Sequence, residues 1–144
     1  MNIRPIAESD HEAIRNHLTQ AVNKAGKEWI TTVDLPTALH RILSGELQGF
    51  IVEETYLLVA DVTTPWYSAP DTKILSELLV LRIGNGPGKF QDIPRALRLL
   101  AGVVGAGAIV VGTALARESR ALRRMYERDG FRSNAEELYL NLKE

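Results

Sequence analysis

Between residues 73 and 94 the chain sets a strand carboxylate, Glu77, ahead of a run of glycines that leads straight into a helix start. A glycine-rich turn between a strand and a helix lets backbone N–H groups approach a phosphate that also feels the positive end of the helix. Gly84, Gly86 and Gly88, with Lys89 behind them, are the candidates here. The loop is not a Walker loop, because Phe90 rather than Ser or Thr follows Lys89 and the required upstream glycine would fall on Ile83. It is not a dinucleotide fingerprint either, since Lys89 stands where that pattern wants a further glycine. A plain turn kept short by glycine explains the loop equally well.

Glu77 has three readings: facing solvent, pairing with a Lys or Arg, or acting as a base. The last needs reach to an ammonium nitrogen, directly or through one water, and burial that raises the carboxyl pKa toward neutrality. A second group is Met125 to Phe131, where a helix ends at Gly130 and an aromatic follows at once, with Tyr126 one turn earlier. Tyr126 is either a packed core residue or a phenol that stays protonated at neutral pH and can donate. Trp66 and Tyr67 stand side by side in a Pro-containing loop, as a wall for an acceptor or as a lid over the core. His11, His17 and His40 have no partner at metal-ligand spacing and read as surface histidines, so no metal is expected. The chain has no cysteine and no Gly-x-Ser-x-Gly elbow, which removes disulfides, thiolate metal sites and the familiar covalent nucleophiles.

The elements that must hold these groups follow from periodicity. Asn2 to Ile6 starts a sheet, and Ser9 or Asp10 offers an oxygen to cap a helix reaching Lys24, with Ile14, Leu18, Ala21 and Val22 as its buried stripe and Gly26 as its stop. Asp34 and Pro36 open a second helix, which runs to Ser44-Gly45. Gln48 to Glu53 and Tyr56 to Val62 form a hairpin around Glu53-Glu54. Lys73 to Ile83 is a strand whose alternation puts Leu75, Glu77, Leu79 and Leu81 on one face and Ile74, Leu78 and Val80 on the other. Asp92 and Pro94 begin a helix with Ile93, Leu97, Leu100, Ala101 and Val104 inward. A strand at Ala108 to Thr113, a helix at Glu118 to Arg128 and a last strand at Leu138 to Leu142 complete the chain.

Tyr126, Gly130 and Phe131 match, in spacing and identity, the Tyr-x-x-x-Gly-Phe ending of the fourth helix in the GNAT superfamily, which the chain resembles over nearly its whole length. The opening Asn2-Ile3-Arg4-Pro5 with Ser9-Asp10 is similar to that family's first strand and cap, and Glu77-Leu78-Leu79-Val80 to its fourth strand. The resemblance implies an α+β fold with a mixed, mostly antiparallel sheet, and acetyl-CoA as co-substrate between strands 73–83 and 108–113. It implies Glu77 as base, Tyr126 as the proton donor to the departing thiolate, and the backbone at Leu79, Val80 and Leu81 as partner of the pantetheine arm, with a strand amide near Leu79 polarising the thioester carbonyl. Gly86, Gly88 and Lys89 would hold the pyrophosphate, while Trp66 and Tyr67 would line the acceptor. The family's Gln/Arg-x-x-Gly-x-Gly/Ala signature falls on Asn85, Gly88 and Phe90, of which only Gly88 fits. Ser119 stands seven residues before Tyr126 as a coenzyme contact, where many members have Asn. The wording around Pro65 to Ser68 and Glu77 to Ile83 further resembles phage-encoded acetyltransferase-like proteins.

Composition sets the limits. The 144 residues, 45% of them hydrophobic, suit one domain spanning residues 1–144. A net charge of -1 supplies no cationic field for nucleic acid. The five arginines from Arg117 to Arg128 interleave with Glu118, Glu127 and Asp129, the pattern of a solvated helix face or of a seat for the coenzyme's ribose phosphate or an acidic partner. Leu99 to Ala116 is uncharged, but its glycines divide it into helix end, turn and strand rather than a membrane span. With no leader pattern at Met1 to Asp10, a cytoplasmic protein is expected. The function implied is N-acyl transfer to a small-molecule, protein or peptide amine, in a monomer or a homo-oligomer. The alternative is a GNAT scaffold that binds or assembles without transfer, as in a phage particle or a host-control complex.

Overall fold

The computed structural model describes residues 1–25, 32–112, 119–134, 138, 140 and 142. Five strands form one sheet in chain order: β1 (Ile3–Pro5), β2 (Gln48–Val52), β3 (Tyr56–Thr63), β4 (Ile74–Arg82) and β5 (Ala108–Val110). The first four are antiparallel, and β5 joins β4 in parallel. The parallel step is made possible by α3 (Asp92–Val104), which crosses over between them. Before the hairpin come α1 (His11–Lys24) and α2 (Leu35–Leu43), and after β5 comes α4 (Ser119–Arg128).

The sheet is covered on both faces. Ile14 and Leu18 of α1 and Ile42 of α2 pack with Ile51, Leu57, Val59 and Leu79 on one face. On the other, Ile93, Ala96, Leu97 and Ala101 of α3 and Tyr126 of α4 pack with Val52, Tyr56, Leu58, Ala60 and Leu75. Each large apolar side chain buried here contributes about 1.5–3 kcal/mol.

Caps explain the start of α2 and the end of α3. The Asp34 carboxylate accepts the Thr37 N–H at 3.3 Å, Pro36 sits in the first turn of α2, and Gly105 closes α3 in the left-handed conformation, φ 73°. At α1 the expectation is corrected, since neither Ser9 nor Asp10 caps the helix. The Asp10 carboxylate instead takes the Ala7 N–H at 2.7 Å and a double bond from Arg4 at 2.7 and 2.9 Å.

The sequence from Leu99 onward behaves as helix end, glycine turn and strand as far as Gly112, and no helix among the described residues is long and apolar enough to cross a membrane. Gly26, Thr113, Arg117 and Glu118 lie outside the described residues, as do Tyr139 and Asn141 of the expected last strand, whose Leu138, Leu140 and Leu142 are exposed.

Candidate active site

A β-bulge decides where Glu77 points. Along β4 the register runs Val80 with Leu58 and Leu79 with Val59, then jumps to Glu77 with Ala60, leaving Leu78 as an extra residue. The even alternation expected for residues 73–83 is therefore corrected. Leu75 and Glu77 share a face with Val80 and lie toward α3 and α4, whereas Leu79 and Leu81 turn to the α1–α2 face. Without the extra residue Glu77 would face the α1–α2 core.

On this face Glu77 and Tyr126 come together. Tyr126 is 3% exposed, its ring meets Phe131 edge to face at 5.2 Å, and its carbonyl accepts the N–H groups of Asp129 and Phe131 at 3.0 and 3.1 Å. The Gly130 turn, φ 102°, thus folds Phe131 back onto the phenol. Arg98 ties α3 to this corner through the Asp129 carboxylate and, at 2.7 Å, the Asp129 carbonyl. The Tyr126 hydroxyl is buried with no hydrogen-bond partner among the described residues. Burial, and secondarily the Glu77 charge, push its pKa above the ordinary 10. It stays a proton donor at any physiological pH.

Burial raises the Glu77 carboxyl to about 7, against a smaller lowering by the Gly112 N–H, which donates to Oε2 at 3.1 Å. That contact spans the gap where β4 and β5 part. Among the described residues their pairing covers Ile74 with Ala108, Leu75 with Ile109 and Ser76 with Val110, after which β4 continues to Arg82 with no strand on its outer edge.

Which backbone groups face the gap follows from the ladder. Ile83 donates to the Thr55 carbonyl at 2.9 Å, making that a hydrogen-bonded pair. In an antiparallel ladder such pairs alternate, so Leu81 and Leu79 turn their N–H and C=O groups toward β3 and Val80 turns its own to the open edge. Of the three residues expected to meet a pantetheine arm, the register thus selects Val80.

The glycine loop also departs from expectation. The Gly88 N–H donates to Thr55 Oγ1 at 2.9 Å and the Lys89 N–H to Asp92 Oδ2 at 2.8 Å, so neither amide is free for a phosphate. At the start of α3, Asp92 and Ile93 donate to the Lys89 and Phe90 carbonyls at 2.9 and 3.1 Å, and Pro94 has no N–H. The amides of Gly86, Phe90 and Gln91 have no acceptor among the described residues. The Phe90 ring packs edge-on to Tyr56 at 5.6 Å, which accounts for an aromatic where the motif has Gly or Ala.

Trp66 and Tyr67 are 94% and 73% exposed and touch each other edge to face at 5.6 Å. They lie in the β3–β4 connection, at the end of β4 away from the open edge, and cover no core. Ser119 begins α4, but its side chain is outside what is described. No cluster of three His, Asp or Glu residues among the described residues could hold a metal. Sequence reasoning missed Thr55, Gly112 and the bulge. Only the bulge left a trace, in the unbroken apolar run Leu78-Leu79-Val80-Leu81, which is ambiguous about faces.

No family model and no curated protein sequence matches this chain; the likeness is one of structure. The BH1408 protein from Bacillus halodurans, solved as a tetramutant, superposes with a TM-score of 0.68 at 18% identity, covering 99% of this chain and 100% of its own. A GCN5-related N-acetyltransferase from Ralstonia eutropha JMP134 gives 0.67 at 17% identity over 97% of both chains. The aminoglycoside N-acetyltransferase AAC(6')-Iy, solved in complex with CoA, gives 0.66 at 12% identity over 99% of this chain and 94% of its own. The fold is that of the GNAT acetyltransferases. In this GNAT fold Glu77 on the bulged β4 and Tyr126 of α4 lie on the same side of the sheet, near the point where β4 and β5 part.

Proposed function

We propose that residues 1–144 form an acyl-CoA-dependent N-acyltransferase domain that moves an acetyl group to an amine by direct attack on the thioester. One observation carries this reading: where two parallel strands separate, a carboxyl raised to about 7 lies within electrostatic reach of a buried phenol whose hydroxyl has no partner among the described residues. A buried hydroxyl without a partner costs about 1–3 kcal/mol, and an incoming sulfur would supply the missing acceptor.

On this reading acetyl-CoA lies where β4 and β5 part, with one adjustment to the expected contacts. The Val80 backbone edge suits the amides of the pantetheine arm, and the phosphates fall to the amides of Phe90 and Gln91 rather than to those of Gly88 and Lys89, with the exposed Lys89 side chain nearby. The acetyl carbonyl is polarised by an amide of the bulged stretch of β4. Glu77 takes a proton from the ammonium acceptor through water, and the freed nitrogen attacks the carbonyl carbon. As the new C–N bond forms and the C–S bond breaks, Tyr126 donates its proton to the sulfur and is reprotonated by the proton the nitrogen loses. The products are an amide and the free thiol. With no cysteine in the chain, direct attack is the simplest course.

A small-molecule amine is the acceptor this reading favours, in keeping with the aminoglycoside named for one structural neighbour. The exposed Trp66–Tyr67 pair would meet only an acceptor large enough to extend along the β3–β4 connection.

The second reading, a GNAT scaffold that binds without transfer, draws on the internally bonded amides of Gly88 and Lys89. Thermal denaturation with and without acetyl-CoA, followed by thiol release over a panel of amines and peptides, separates the two. Stabilisation with release supports the enzyme, and stabilisation without release across the panel supports the scaffold.

A further inference from the structure

Among the described residues Thr55 is the buried polar side chain of the core, 0% exposed. A hydroxyl so placed must have its bonds made inside the protein. Thr55 Oγ1 donates to the Glu53 carbonyl at 2.7 Å and accepts the Gly88 N–H at 2.9 Å. Its carbonyl accepts the N–H groups of Ile83 and Gly84 at 2.9 and 3.1 Å. One residue therefore grips both ends of the segment that carries the chain from β4 toward α3.

The glycines of that segment report the same contact. A Cβ on Gly84 would stand 2.8 Å from the Glu54 carbonyl oxygen, and on Gly86 or Gly88 it would stand 2.6 or 2.8 Å from Thr55 Oγ1. These glycines are needed because the loop lies against the β2–β3 turn. The turn is itself held in an unfavourable shape, with Glu53 and Glu54 at φ 51° and 50°. Such strain persists only where neighbours fix it. Here the Asn2 N–H donates to Glu53 Oε1 at 2.7 Å, and Arg4 bonds Glu54 at 2.5 and 2.9 Å while also holding Asp10.

We infer that Thr55 is the positioning residue of the donor-phosphate loop: by holding Gly84 and Gly88 against the strained turn, it leaves the amides of Phe90 and Gln91 presented to the phosphates. This rests on the acyl-CoA reading. Thr55 touches no substrate and acts through the loop.

The test compares Thr55→Val, which keeps the shape and loses the hydroxyl, with Thr55→Ser, which keeps the hydroxyl. Calorimetry would measure affinity for CoA and for pantetheine, which has the thiol arm without the nucleotide. We expect Thr55→Val to weaken CoA about tenfold or more, the scale of one lost hydrogen bond. Pantetheine affinity should stay within about twofold, and Thr55→Ser should stay close to wild type for both. In turnover the same loss should appear in KM for acetyl-CoA, with kcat retained. An equal loss for both ligands, or no loss for CoA, overturns the inference.

A wild-type measurement serves should Thr55→Val fail to fold. Amide exchange followed by NMR should find Gly88 slow with and without CoA, and Phe90 and Gln91 slow only when CoA is bound. A Gly88 amide that exchanges freely until CoA arrives contradicts the assignment. Failure of the wild type to bind CoA at all overturns the acyl-CoA reading and this inference together, whereas CoA binding that Thr55→Val leaves intact overturns the inference alone.

Discussion

Two polar sites lie along β4, and they are built in opposite ways. Beside its C-terminal end, the amide, carbonyl and hydroxyl of Thr55 are all bonded within the protein, against glycines that have no room for a Cβ. Before the bulge, Glu77 has one backbone donor and the Tyr126 hydroxyl has no hydrogen-bond partner, both among the described residues. The first site has its bonds made within the protein; the second, on the acyl-CoA reading, receives its partner with the ligand. A buried polar group with all its bonds made is architecture, whereas one whose bonds are missing implies something that arrives.

The largest effect that could break this contrast is at Glu77. Glu77→Gln should lower kcat by about 10²–10⁴-fold at pH 8, the usual range for loss of a general base. Wild-type activity should rise with pH and level off above about 7, where the carboxyl is ionised. A pH–rate profile of both proteins checks this.

Tyr126→Phe sharpens the comparison because it separates function from stability. Removing a hydroxyl that has no partner should leave the melting temperature unchanged or higher, while kcat falls about 10–10²-fold. The same kind of deletion at a satisfied site would destabilise, so denaturation of Tyr126→Phe beside Thr55→Val displays the contrast in one experiment.

A smaller effect lies in stability against pH. The Glu77 carboxyl titrates at about 7 folded and at its ordinary 4.5 unfolded, so between these values the folded chain holds a proton that the unfolded chain releases. Stability from this group is complete below about pH 4.5 and is lost as pH rises through 7, by about 1–3 kcal/mol for a half-buried group. Urea denaturation at pH 5 and 8 should show this loss in the wild type and not in Glu77→Gln.

Smallest is the Arg4 clamp. Hydrogen bonding to Arg4 holds the Asp10 carboxyl below its ordinary 3.8, so its contribution is present above that value and lost as pH falls through the lower folded pKa. Arg4→Met should cost about 1 kcal/mol at pH 7 and progressively less as the pH falls below 3.8, by chemical denaturation.

Much of the fold was legible because each helix carries an apolar stripe at its proper period, and because Asp34-Pro36, Gly105 and Gly130 punctuate the chain where elements end. The Tyr126–Gly130–Phe131 spacing was legible as a helix end that turns an aromatic back onto the phenol, and Glu77 as a residue of a strand. Its face was not legible, because a bulge inside four consecutive apolar residues leaves no break in the pattern. The glycine loop was misleading for a different reason. Glycine marks a close approach of backbone to something, and here that something is Thr55 and the turn before it. Thr55 is thirty-three residues from Gly88, a contact made only by the folded sheet. The acceptor stayed hidden because Trp66 and Tyr67 stand in solvent with only each other for company.

Thiol release from acetyl-CoA in the presence of an amine panel, measured for the wild type and for the double variant Glu77→Gln/Tyr126→Phe with CoA affinity determined in parallel, bears most directly on the site. The account predicts release by the wild type, and CoA binding within a few-fold of wild type but no release above background by the double variant. Release at an undiminished rate by the double variant would contradict it.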